Sequence, residues 1–264
     1  MRKKCPSIEI LGIRVDMISI PEIIQQMEDW IVNADYHNYI VVANADTAVK
    51  SKRDQAVRTA VNSSALAIPD GFSLLMMGRA KGHSLRKRSY GPDLTYEFFK
   101  TTEKKGYSHF FYGSTNDTLM KLIENIRDKF PETKIAGFYA PPFRPLAKEE
   151  DEEIIKSINR CKPSVLWVGI GCPKQEIWMY EHREKLDIPI MLGVGAAFDF
   201  LAGAKLQAPR WIRNNGFEWL FRLITEPKRL WRRYLVDGSL FIYYVLIELF
   251  LNRSRPVENP SKAD

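Results

Sequence analysis

Short apolar runs alternate with stretches of helical periodicity from residue 8 to about residue 200. Ile20, Ile23, Ile24, Met27, Trp30 and Ile31 share one helical face, with Ser19 and Glu22 as a capping box and Pro21 in the first turn. Residues 39–42 read as a buried strand ending at Asn44, residues 65–68 as a second ending at Pro69-Asp70-Gly71, and residues 109–112 as a third ending at Gly113-Ser114. Leu119, Leu122, Ile123, Ile126 and Phe130 mark the next helix. A short strand follows at 134–136 and a helix with an acidic start at 149–158. Residues 164–168 form a strand running into Gly169-Ile170-Gly171-Cys172-Pro173. Residues 188–192 form the last strand, before Gly193-Val194-Gly195.

Strand, turn and helix in repetition predict an α/β fold: a mostly parallel sheet with helices on both faces. Ligands of such sheets bind beyond the carboxyl ends of the strands. The polar and glycine residues above all fall at those ends, so they form one expected site. Residues 1–204 read as this unit. The pattern then changes to a basic, tryptophan-rich helical segment, 205–251, and a polar, proline-containing tail, 252–264, expected to be flexible.

The net charge is +7 over 264 residues. Residues 205–235 hold eight basic side chains against Glu218 and Glu226, a net of +6, so the basic character belongs to one region. An anionic partner is expected there: a membrane, a diphosphate or nucleic acid. Trp211, Trp219 and Trp231 interleave with the charges and an apolar helix follows at 240–251, which favours lipid over nucleic acid. That helix is too short to cross a bilayer, and the N-terminus has no apolar signal-peptide core. Cys5, Cys161 and Cys172 have no metal-ligand spacing and suit a reducing compartment. The sequence does not set the oligomeric state, and a homo-oligomer is compatible with it.

Asp70 is placed either to take a proton from a hydroxyl or to cap the helix that starts near Phe72. Asn44 is either a ligand for sugar or phosphate oxygens or a cap. Gly169, Gly171, Lys174 and Gln175 belong to GxGxPKQE, where glycines and a helix N-terminus suit phosphate. Gly193, Gly195 and Asp199 repeat the logic, with Asp199 fit for a ribose diol or for a surface or capping role. Arg88, in LRKRSYG, is either solvated surface or a diphosphate clamp. Arg222, Arg229, Arg232 and Arg233 recur near helical spacing. The chain has no Asp-x-Asp pair, so Lys and Arg rather than a metal are expected to neutralise a leaving diphosphate. His37, His83, His109 and His182 form no local cluster and read as structural or surface residues.

PDG, GxGxPKQE, GVGAAFDFLAG and EWLFRLxxEPKRxxRR, in that order, resemble the WecG/TagA/CpsF glycosyltransferases, glycosyltransferase family 26, over residues 8–235. The resemblance implies a Rossmann-like fold of the GT-E type. It also implies an inverting hexosyltransferase that needs no cofactor and moves sugar from a UDP-sugar to an undecaprenyl-diphosphate-linked acceptor. Such enzymes are peripheral at the cytoplasmic face of the bacterial inner membrane and serve cell-wall or exopolysaccharide synthesis. The resemblance makes Asp70 the base and Asn44, Arg88 and Gln175 active-site residues. Gly113, Pro142, Phe143, Gly169, Gly171, Lys174, Gly193, Gly195 and Asp199 are expected on the donor, and Arg222, Arg229, Arg232 and Arg233 on the acceptor or membrane. Val42 stands where members often have Thr, and Gln207-Ala208-Pro209 stands where many read Arg-Ala-Pro. The Gly137-Phe-Tyr-Ala-Pro-Pro-Phe143 segment resembles the exopolysaccharide branch. N-acetylmannosamine, its uronic acid and glucose are the expected donor sugars. The rival reading is a non-enzymatic UDP-binding peripheral membrane module.

Overall fold

The computed structural model describes residues 5–85 and 87–253. Most of the tail expected at 252–264 lies outside them. An antiparallel hairpin opens the chain, β1 (Ser7–Ile10) and β2 (Ile13–Asp16), turning at Leu11 and Gly12 with φ of 53° and 84°. The sequence reading treated this stretch as part of the general alternation. Six parallel strands follow: β3 (Asn38–Ala43), β4 (Leu66–Pro69), β5 (Ser108–Gly113), β6 (Lys134–Tyr139), β7 (Val165–Gly169) and β8 (Ile190–Gly193). They lie in the order β4-β3-β8-β7-β5-β6.

The strands are apolar throughout because both faces are covered, and alternate side chains enter different cores. Tyr39, Val41, Leu166, Val168 and Met191 join one cluster; Ile40, Val42, Val165, Trp167, Ile190 and Leu192 join the other. The first face carries the hairpin with α2 (Ala45–Arg53), α3 (Gln55–Asn62), α4 (Phe72–Ala80), α7 (Lys148–Cys161) and α8 (Lys174–His182). The second carries α1 (Ile20–Val32), α5 (Gly91–Thr102), α6 (Asn116–Lys129) and α9 (Ala197–Leu201). The edge strand β4 is covered by the hairpin, where the Asp16 carboxylate accepts the Ala67 N–H at 2.8 Å.

The remaining chain forms α10 (Arg210–Asn214), α11 (Glu218–Thr225), α12 (Pro227–Trp231), a π-helical turn (Arg232–Asp237) and α13 (Gly238–Arg253). α13 starts earlier and runs later than the expected 240–251 segment. Phe241 and Val245 are buried in the hairpin-side core, and Glu248 accepts the Leu11 N–H at 3.1 Å. Arg213 pairs with Asp93 of α5 at 2.8 Å. The C-terminal helices therefore pack across the α/β body. Among the described residues no helix is long and apolar enough to cross a membrane.

Candidate active site

The strand order converts scattered sequence positions into a row along the carboxyl edge of the sheet. It runs from Asp70 after β4, through Asn44 after β3 and Gly193–Gly195 after β8, to Gly169–Gly171 after β7 and Gly113 at the end of β5.

Asp70 is not the cap of α4; Gly71 holds that position and no side chain caps it. Asp70 is partly buried, and its Oδ1 accepts the Gly91 N–H at 2.8 Å. No described residue bonds its second carboxylate oxygen, and Asp70 lines a cavity of about 510 Å³. Burial raises its pKa above the ordinary carboxylate value. Nearby Glu218 adds to the rise, while Arg88 and the Gly91 amide oppose it. Asn44 does cap: its side chain accepts the Asp46 and Thr47 N–H groups at 3.0 and 3.3 Å. It nevertheless lines the same cavity.

Arg88 is held rather than solvated. One nitrogen donates to the Asp70 main-chain carbonyl at 3.0 Å and another pairs with Glu218 of α11. The guanidinium stacks 4.3 Å from the centre of the Tyr90 ring, and the Tyr90 hydroxyl donates to Glu218 at 2.8 Å. Burial works against the Arg88 charge, but Asp70 and Glu218 outweigh it and hold its pKa above the usual value.

The C-terminal arginines divide. Arg222 and Arg233 line the Asp70 cavity. Arg222 is buried, its Nε and one Nη have no hydrogen-bond partner among the described residues, and Glu226 lies 3.9 Å away. Arg233 faces the Asp46 carboxylate at 3.5 Å, which Lys50 also reaches at 2.9 Å. Arg229 and Arg232 are exposed, Arg229 paired with Glu226 at 2.6 Å and Arg232 over the Trp231 ring.

A second cleft, about 490 Å³, lies past β5, β6 and β7. Pro142, Phe143, Gly169, Lys174, Trp178 and His182 line it. Phe143 is 91% exposed. Within the cleft wall the His182 ring stacks on Trp178 and pairs with Asp151 at 2.8 Å, so it is structural. Gln175, buried at the start of α8, donates to Glu176 at 3.0 Å, and its Oε1 has no described partner. It packs against Gly193 and Gly195. A Cβ on Gly113 (φ 135°) would lie 2.5 Å from the Gly169 backbone, so this glycine lets β5 and β7 end side by side. Gly171 (φ 86°) has open space where a side chain would be. Asp199 lines neither cavity; it pairs with Lys205.

Sequence reasoning missed Glu218, Tyr90, Phe72 and Trp219 as cavity or network residues. Only Glu218 left a signal, as one of two acidic residues in a basic segment.

Residues 8–255 match the family model described as the glycosyl transferase WecG/TagA/CpsF family. The chain is 26% identical over 245 residues, 92% of its own length and 94% of the relative's, to a protein of Staphylococcus aureus strain NCTC 8325. That relative is named N-acetylglucosaminyldiphosphoundecaprenol N-acetyl-beta-D-mannosaminyltransferase. The protein of the same name from strain MRSA252 is 26% identical over the same length. The family model covers the α/β body and the C-terminal helices alike, residues 8–255 of 264, and that match decides the identification: this chain is a glycosyltransferase of the WecG/TagA/CpsF family.

Proposed function

We propose that the chain is an inverting hexosyltransferase in bacterial cell-surface polysaccharide synthesis. It takes the sugar from a UDP-sugar and joins it to an undecaprenyl-diphosphate-linked saccharide. N-acetylmannosamine is the first donor to try, because the relatives named above transfer it to such a lipid. The observation that carries the mechanism is the Asp70 carboxylate, one oxygen fixed by the Gly91 amide and the other open to a cavity walled by Arg88, Arg222 and Arg233.

In this mechanism the acceptor hydroxyl enters the 510 Å³ cavity and loses its proton to Asp70 as it attacks the anomeric carbon. The anomeric C–O bond to the diphosphate breaks, and UDP leaves with that electron pair. Arg222 answers the growing charge, since its buried Nε and one Nη have no hydrogen-bond partner among the described residues and an anion would supply one. The nucleoside lies toward β7 and β5, with Pro142, Phe143 and Lys174 along the second cleft. Arginine and lysine neutralise the diphosphate, so turnover in EDTA should equal turnover in Mg²⁺.

The exposed apolar side chains favour docking on an anionic membrane at its cytoplasmic face. Among the described residues, 15 of the 23 exposed large hydrophobic side chains lie between Leu206 and Phe250. They overlap residues 205–235, which carry a net charge of +6.

A donor screen tests the proposal. UDP-N-acetylmannosamine, its uronic acid and UDP-glucose are each offered with a short-chain prenyl-diphosphate N-acetylglucosamine, read by mass shift of the lipid. No transfer from any of the three donors would refute it.

A further inference from the structure

Glu218 is a buried acid on the C-terminal side of the cavity, and nothing in the reaction above uses it. Its two oxygens are both committed, one to Arg88 and one to the Tyr90 hydroxyl. Arg88 is thereby caught between two carboxylate-bearing residues, Asp70 of the α/β body and Glu218 of α11. A guanidinium beside a free carboxylate normally forms a paired, two-pronged bridge with it. Here it does not. Among the described residues no ion pair joins Arg88 to the Asp70 carboxylate, and Arg88 reaches only the Asp70 main-chain carbonyl.

We propose that Glu218 is a positioning residue: by holding Arg88, it keeps the guanidinium off the Asp70 carboxylate and leaves one oxygen of the base open, so the base is competent only when α11 is docked. The inference rests on Asp70 being the base. A carboxylate bridged by arginine is stabilised in its charged form and becomes a weak base, while one kept apart in a buried site retains its basicity. Glu218 acts twice, by occupying Arg88 and by placing a negative charge near Asp70, and it contributes to the raised pKa of Asp70.

The charged and titratable groups around Asp70 come from four elements. Arg88 and Tyr90 precede α5, Glu218 and Arg222 are on α11, Arg233 and Tyr234 are on the π-helical turn, and Asp46 is on α2. Only Glu218 and Asp46 are acids. Asp46 is occupied by Lys50 and Arg233. Glu218 is therefore the acid in contact with Arg88, and its anchorage on the C-terminal helices ties the state of the base to their docking.

The test uses the full chain and Glu218→Gln, which keeps an acceptor oxygen for Tyr90 but removes the charge. The Asp70 carboxyl carbon, labelled with ¹³C and identified by its loss in Asp70→Asn, is titrated in both proteins without substrate. The Asp70 midpoint should fall in Glu218→Gln. With the donor that the screen turns over, kcat at neutral pH should fall about tenfold, KM for the donor should stay within about twofold, and the acid limb of the pH profile should move to lower pH. An unchanged Asp70 midpoint with an unchanged acid limb would overturn the inference, even if Glu218→Ala is inactive, because that variant can fail by losing its fold. Full activity in Asp70→Asn would instead remove the base itself, and this inference with it.

Discussion

The α/β body and the C-terminal helices build the two sides of one cavity by different means. In the body, Asp70 and Asn44 sit where β4 and β3 end, fixed by the hydrogen-bonded sheet behind them. In the C-terminal part, helices of 5, 8, 5 and 16 residues are broken by turns and a π-helical segment, and they contribute Glu218, Arg222 and Arg233. The body is held by two continuous cores. The C-terminal part is held by separate anchors, among them Phe241, Val245, Glu248, and the Arg213–Asp93, Arg88–Glu218, Arg233–Asp46 and Arg53–Asp237 pairs. Rigid strands place Asp70, and a more loosely anchored layer brings Arg222 and Arg233. Local opening is expected first where buried contacts are fewest, so the cation side of the cavity should be the side that moves.

The largest effect should come from the body. Asp70→Asn is expected to lower kcat by about 10³-fold or more while leaving UDP affinity within about twofold, read by isothermal titration. The same change should raise the melting temperature. The folded-state pKa of Asp70 is raised, so its ionised form costs stability as pH rises through that value, and an uncharged amide escapes the cost. Full activity in this variant would remove the body's half of the comparison.

The anchors come next. Phe241→Ala should destabilise by about 3 kcal/mol and release α13 before the sheet melts, so limited proteolysis should cut after residue 237 while the α/β body persists. A single cooperative loss of both parts would show that they are not separable layers. Replacing Ile224, 72% exposed, and Trp211, 69% exposed, with Ser should reduce sedimentation with anionic phospholipid vesicles at least about tenfold. Turnover of a short-chain soluble acceptor should stay within about threefold. Equal vesicle binding by this variant would place the membrane contact elsewhere. The smallest effect is expected at Arg229, whose pair with Glu226 is exposed: Arg229→Ala should change stability by less than about 0.5 kcal/mol. A tenfold loss of kcat there would mean that α12 turns inward during the reaction.

Much of the body was legible because its signals are local. The apolar runs located all six parallel strands, and the glycine and polar residues that end them defined the site's edge. Ser19 and Glu22 cap α1 as the sequence suggested, and Glu22 accepts the Ser19 N–H at 2.9 Å. The basic run around Arg88 carried no sign that Arg88 would be held in an ion pair, because that depends on Glu218, 130 residues later. Arg222, Arg229, Arg232 and Arg233 recur near helical spacing and read together as acceptor or membrane contacts. Turns at Glu226 and the π-helical segment instead rotate Arg222 and Arg233 inward and leave Arg229 and Arg232 in solvent.

Periodicity and turn chemistry act over a few residues, so the sequence by itself determined the α/β alternation, the strand ends and the concentration of positive charge after residue 205. The order of the strands was decided only by the folded chain, and with it the adjacency of Asp70, Asn44, Gly193 and Gly169. So was the pairing of Arg88, beside Asp70, with Glu218 of α11. Such long-range pairings arise from the burial of both partners together, and neither partner's neighbours in sequence encode them.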